Sequence, residues 1–267
     1  MRLSLHRGAV AVLTLASCVA CGMDSQPAFA RQQATPATAG KSAIAPGRLE
    51  IISARRAAGL VAQERIAVLD ARPVAKYLAG HVPGAVHIDD ECLRRSISGM
   101  PAQYLPECDL GLVFEGAGLT IDRPTLVYSD GDDTLAATMT AYCLLKAGHP
   151  HVMLLDGGFE AWRGNNPTTQ TYASFEIKPW QGQPLGSAMA ATLADARSAS
   201  EDFKGRLVDA RPARLYRGEG KAWARNGHIP EAVNLDWTTL MRSDNGALFK
   251  PRKEIEKLLA DAGLRKE

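Results

Sequence analysis

Val68-Leu69-Asp70-Ala71-Arg72-Pro73 returns later in the chain as Leu207-Val208-Asp209-Ala210-Arg211-Pro212. Each copy is followed by a second shared element, Gly80-His81-Val82-Pro83-Gly84-Ala85-Val86 in the first half and Gly227-His228-Ile229-Pro230-Glu231-Ala232-Val233 in the second. Self-similarity of this kind predicts two tandem units of one fold. Asp70 and Asp209 are 139 residues apart and His81 and His228 are 147 apart, so the second unit carries eight extra residues, around 218–225.

Within the first unit the order of elements is readable. Residues 66–69 form a short apolar run ending at Asp70, as a strand buried on both faces does, and residues 125–128 and 152–155 are two more. Helical signals alternate with them. Residues 134–146 place Leu135, Met139, Tyr142 and Cys143 on one stripe with Gly148 as the stop, and residues 158–162 begin a shorter helix. Strands alternating with helices imply an α/β fold with a mainly parallel sheet flanked by helices in each tandem unit.

The two shared elements resemble motifs of the rhodanese family, as do Tyr128-Ser129-Asp130-Gly131 and the run from Leu155-Asp156-Gly157-Gly158 to Trp162. Ile88-Asp89-Asp90-Glu91-Cys92 is similar to the matching part of the N-terminal domain in two-domain thiosulfate and 3-mercaptopyruvate sulfurtransferases. D-x-R, G-H-[IV]-P and D-G-G-x-x-x-W in that order are specific together and weak singly. The resemblance divides the chain into rhodanese domain 1 at 49–172, a linker at 173–189 and rhodanese domain 2 at 190–267. It implies an enzyme that moves sulfane sulfur from thiosulfate or 3-mercaptopyruvate to cyanide or a thiol through a cysteine persulfide, without cofactor or metal.

In the family the nucleophile is a cysteine just after a strand of the C-terminal domain, heading a loop into a helix. Main-chain amides there stabilise a thiolate and lower its pKa from about 8.5. Ser129 holds the equivalent position in domain 1, and its hydroxyl does not ionise near neutrality. The following Asp130, Asp132 and Asp133 repel an anionic donor and read as a solvated, structural turn rather than a metal loop. The step from Gly80 to Ser129 is 49 residues, and the same step from Gly227 reaches 276, beyond Glu267. Domain 2 is therefore expected to be truncated before the catalytic loop, with no catalytic residue in this chain and no activity alone.

The arginine that family members place six residues after the D of D-x-R is Leu215 here, flanked by Arg214 and Arg217, the candidates for donor binding. Asp70 with Arg72, and Asp209 with Arg211, occur in both units and so read as structural, holding the strand end against the turn that contains His81 or His228. His149 and His151 have H-x-H spacing but no third ligand is apparent, and Cys143 reads as a small core residue.

Arg2, His6 and Arg7 precede an apolar stretch, 8–16, too short to cross a bilayer as a mature helix, so residues 1–30 read as an export signal. Leu15-Ala16-Ser17-Cys18 resembles a bacterial lipobox, with Cys18 lipidated and tethering the protein to a membrane; Ala28-Phe29-Ala30 is the competing site, which would discard Cys18 and Cys21. Residues 31–48 read as a flexible linker. The expected location is outside the cytoplasm, in the bacterial periplasm or anchored at the outer membrane. Cys92, Cys108 and Cys143 remain, an odd number that argues against a disulfide framework and leaves a Cys92–Cys108 pair open.

With a net charge of +2 and 22% charged residues, nucleic acid is not an expected partner. The partners implied are a small-molecule sulfur donor and acceptor. The alternative is a non-catalytic exported binding module on the same fold. A phosphatase or arsenate reductase, also found on this fold, needs a C-x5-R loop that the sequence lacks.

Overall fold

The buried strands alternate their side chains between two cores, which is why they read as continuous apolar runs. In the computed structural model, which describes residues 10–12, 47–97, 99–185, 189–201, 206–220 and 224–264, the elements in chain order are β1 (Val10–Val12), β2 (Arg48–Ile52), α1 (Ala54–Ala62), β3 (Ala67–Asp70), α2 (Val74–Ala79), β4 (Ala85–His87), β5 (Arg94–Ile97), β6 (Met100–Tyr104), α3 (Glu107–Gly116), β7 (Thr125–Tyr128), α4 (Thr134–Lys146), β8 (His151–Leu155) and α5 (Gly158–Arg163). They continue with α6 (Leu193–Glu201), β9 (Arg206–Asp209), α7 (Ala213–Tyr216), β10 (Val233–Asn234) and α8 (Arg252–Asp261).

The main sheet has the order β2-β8-β7-β3-β4, and every pair in it is parallel. Ala67, Leu69, Val127, Val152 and Leu154 point into one core with α3 and α4. Val68, Leu126, Tyr128, Met153 and Leu155 point into the other, with Ala57 of α1 and Phe159 and Trp162 of α5. Both faces are covered, as a parallel sheet requires, and the carboxyl ends of β3 and β7 lie side by side with Asp70 opposite Tyr128.

The second copy of the repeat builds β9 and β10 in the register of β3 and β4: Val208 faces Val233 and Asp209 faces Asn234, as Leu69 faces Val86 and Asp70 faces His87. Its buried apolar cluster is small, with Ala196, Leu207 and Ala232 at its centre.

Several expectations need correction. The first strand of the main sheet starts at Arg48, inside the stretch read as flexible linker. On α4 the buried arc runs through Ala136, Ala137, Thr140, Ala141, Cys143, Leu144 and Leu145, so of the expected stripe Cys143 is in the core, Met139 and Tyr142 are half-buried at its edge and Leu135 is outside it. Leu135 is 39% exposed. Small side chains let this helix approach the sheet closely, and the bulkier Leu, Met and Tyr flank the contact. The segment 173–185, expected as a simple linker, lies along domain 1 as a strap: the Trp180 amide donates to Glu115, its indole N–H donates to the Ala147 carbonyl at 3.0 Å, and the ring packs on Phe114. The Tyr142 hydroxyl donates to the Met189 carbonyl. Gly111 and Gly182 leave room for the indole, since a Cβ on either would lie 2.8 or 2.5 Å from it.

The two candidate leader cysteines, the A-x-A site and residues 31–46 of the linker lie outside the described residues. Among the described residues no helix is long and apolar enough to cross a membrane.

Candidate functional site

Ligand sites of parallel sheets form at the carboxyl ends of the strands. In the first unit that edge holds Asp70 at the end of β3, Ser129 after β7 and Asp156 after β8. Asp70 is fully buried; Arg72 answers it with Nε 3.0 Å from Oδ1 and Nη2 2.6 Å from Oδ2. The same Nη2 donates to the Gly80 carbonyl at 2.7 Å, tying the strand end to the Gly-His turn. Tyr128 donates its hydroxyl to Asp70 Oδ2 at 2.6 Å and accepts from the Val82 amide. The Arg72 guanidinium lies over the Phe159 ring, 3.7 Å from its centroid. Burial depresses Arg72, but Asp70 beside it raises it on balance.

The second unit repeats this arrangement. Arg211 pairs with Asp209 and donates to the Gly227 carbonyl at 2.7 Å. His81 Nδ1 lies 2.9 Å from the Tyr77 carbonyl with its ring stacked on Tyr77 at 3.9 Å; His228 Nδ1 lies 2.7 Å from the Tyr216 carbonyl, stacked on Tyr216 at 3.7 Å. Each tyrosine donates its hydroxyl inward, Tyr77 to Ala85 and Tyr216 to Ala232. The sequence reading passed over these tyrosines, although both stand seven residues after the repeated aspartate and that shared offset was available to find them.

Ser129 is 2% exposed, and its hydroxyl donates to the Asp133 carbonyl across the turn that opens α4. Two amides of this loop and one in the first turn of α4 are engaged: Gly131 donates to Glu160, Asp133 to the Asp130 carbonyl, and Ala136 to the Asp133 side chain that caps the helix. Carboxylates thus occupy donors that would otherwise hold an anion. The expectation of a wholly solvated turn is corrected at Asp130, which is 5% exposed and ion-paired with Lys76 at 2.5 Å, with Arg72 at 3.8 Å. Asp132 and Asp133 are exposed. No metal-binding cluster of His, Cys, Asp and Glu occurs among the described residues.

Residues 245–249 of the second unit lie against this loop. The Phe249 amide donates to Asp156 Oδ1 at 3.0 Å, and a Cβ on Gly131 or Gly157 would meet Ala247 or Leu248 at about van der Waals contact or closer. Burial raises the Asp156 carboxyl, opposed by the Phe249 amide and by Arg242.

The remaining candidates stand apart. Lys76 lies six residues after Asp70, where Leu215 lies relative to Asp209, and the hydrogen bond with Asp130 raises its pKa. Arg214 and Arg217 are exposed on and just after α7, and Arg217 pairs with Glu219 at 2.6 Å. Cys143 is buried, and burial pushes its thiol up to about 12. Cys92 and Cys108 are exposed unpaired thiols; burial of its sulfur and the carboxylates of Asp89, Asp90 and Glu91 raise Cys92, the opposite of an activated thiolate. His149 is buried against Thr125, and His151 lies 3.2 Å from Glu50. No cysteine follows Cys143 in these 267 residues.

Comparison with known proteins places this geometry. Residues 53–165 match the Rhodanese-like domain family model. The chain is 32% identical over 241 residues to a protein of Synechococcus elongatus named "Putative thiosulfate sulfurtransferase", covering 86% of this chain and 72% of that one. It is 31% identical to the thiosulfate sulfurtransferase of Azotobacter vinelandii, covering 78% and 75%. The crystal structure of the 3-mercaptopyruvate sulfotransferase SseA from Escherichia coli superposes with a TM-score of 0.69 at 26% identity, covering 80% of this chain and 84% of that one. With the buried Asp–Arg pairs, the Gly-His turns and the all-parallel main sheet on the same chain, this one belongs to the rhodanese family of sulfurtransferases.

Proposed function

We propose that the protein is built for sulfur transfer of the thiosulfate or 3-mercaptopyruvate type, that its first unit is a non-catalytic scaffold, and that these 267 residues alone do not turn over. In the reaction a cysteine thiolate attacks the sulfane sulfur of thiosulfate. The sulfur–sulfur bonding pair leaves with sulfite, and a persulfide remains. Cyanide or a thiol then takes the outer sulfur and frees the thiolate, two half-reactions with one covalent intermediate. The donor and acceptor are small molecules. Export, a periplasmic or outer-membrane location and a lipid tether at Cys18 belong to the same proposal.

The observation that carries the reading is the Ser129 loop. A persulfide-forming loop needs an ionisable thiol facing free amides, and here a buried hydroxyl donates to the Asp133 carbonyl while the Gly131 and Ala136 amides are bonded to Glu160 and Asp133. The same observation favours, as a second reading, a non-catalytic binding module.

The test is thiocyanate formation from thiosulfate and cyanide, with pyruvate release from 3-mercaptopyruvate in parallel. No turnover is expected from the 267-residue chain, and activity is expected when a rhodanese segment carrying the cysteine loop is joined after Glu267. Turnover by the short chain that survives replacement of Cys92, Cys108 and Cys143 would overturn the proposal; an extended chain that stays inactive favours the binding module.

A further inference from the structure

Val74 and Leu78 of α2, with Tyr172 and Phe175 around the start of the strap, are each 46–66% exposed, and all four face one groove beside β4. Its volume is about 570 Å³, a size that suits a small molecule. Contiguous exposed apolar surface of this kind marks a binding site. The buried Tyr77 ring stands at the base, its centroid 6.1 Å from that of Tyr172. Phe175 is seated on Gly118, where a Cβ would lie 2.1 Å from the ring, so this wall is positioned by packing.

One end of the groove is acidic. Asp89 and Cys92 line it, with Asp90 and Glu91 between them in the chain. Arg94 pairs with Asp90 and with Glu91, whereas Asp89 accepts only the Glu91 amide among the described residues. No lysine or arginine lines the groove among those residues. Burial raises the Cys92 thiol, and Asp89, Asp90 and Glu91 raise it further with no cation opposing them, so the potential at that sulfur is negative. Such a groove repels anions. Aromatic faces attract positive charge, and a carboxylate with no ion-pair partner complements it.

We propose that this groove binds a small organic cation, an ammonium carried on an apolar body, with Asp89 as its counter-ion and Tyr77, Tyr172 and Phe175 as its walls. The proposal is independent of the sulfur-transfer reading, because none of these residues belongs to the Ser129 loop.

The test uses the full chain and its own thiols. Alkylation of Cys92, inside the groove, and of Cys108, outside it, is followed by peptide mass spectrometry with phenyltrimethylammonium as the probe. For binding in the millimolar range, about 10 mM probe is expected to slow Cys92 about tenfold and to leave Cys108 unchanged. Asp89→Asn keeps the side-chain oxygen that accepts the Glu91 amide, and Tyr172→Ala removes an exposed ring. Each is expected to raise the concentration needed for half-protection about tenfold. The neutral counterpart, 2-phenyl-2-propanol, is expected to protect weakly. An unprotected Cys92, equal slowing of Cys108, equal protection by the neutral compound, or protection unchanged in both variants overturns the proposal.

Discussion

Asp70 and Arg72 form a buried bidentate pair whose arginine also holds the Gly80 carbonyl, so one guanidinium fixes the end of β3 and the turn after α2 together. Removing Arg72 strands a carboxylate that is fully shielded from water. Arg72→Ala is expected to cost about 3–5 kcal/mol in urea unfolding, and Arg72→Lys to recover little of it, because an ammonium cannot span both Asp70 oxygens and Gly80.

His149 is buried, and burial lowers its pKa to about 4. Unfolded, it titrates near 6.5. Between those values the unfolded chain binds the extra proton, so stability is full above about pH 6.5 and is lost as pH falls toward 4. The loss expected from this one group is about 3 kcal/mol. Thermal unfolding measured from pH 7 to 4 is expected to show a shallower decline in His149→Gln than in the parent chain.

The strap through Trp180 is a packing device. Trp180→Ala is expected to lower stability by about 2–3 kcal/mol and to open 173–185 to protease. Gly111→Ala is expected to do the same without touching the tryptophan, because the new methyl would lie 2.8 Å from its ring.

Ser129→Cys is expected to leave the chain inactive in thiocyanate formation. A thiol there would sit beside amides already committed to Glu160 and Asp133, with Asp130 and Asp132 nearby, conditions that raise a thiol pKa. The rate of alkylation against pH checks it: the inflection is expected above about 8.5, the value for a free thiol.

The two cores of the first unit surround five strands, whereas the second unit has a small apolar cluster around β9. Hydrogen exchange and limited proteolysis are expected to find residues beyond about 190 open at free energies below the global value, while 49–172 stays protected. Uniform protection of both would count against this reading.

Much of the fold was legible because its signals are local. Thr125–Tyr128 and Thr134–Lys146 stand where the apolar runs, helical spacing and glycine stop put them. The hairpin β5–β6, the first strand β2 and the strap left weaker marks. β2 begins Arg-Leu-Glu, and its charges are explained by Glu50 lying buried among its neighbours Arg48 and Arg56 and the distant His151, which β8 brings alongside. The buried face of α4 was misread because hydrophobicity favoured Leu135, while close approach to the sheet selected alanines.

The sequence alone determined the family, the repeat and the residue that follows β7, because these depend on residue types in a fixed order. What Ser129 can do was decided by tertiary structure. Glu160 of α5 takes the Gly131 amide of its loop and Lys76 of α2 holds Asp130, and these contacts are a property of distance, which the order of residues does not carry.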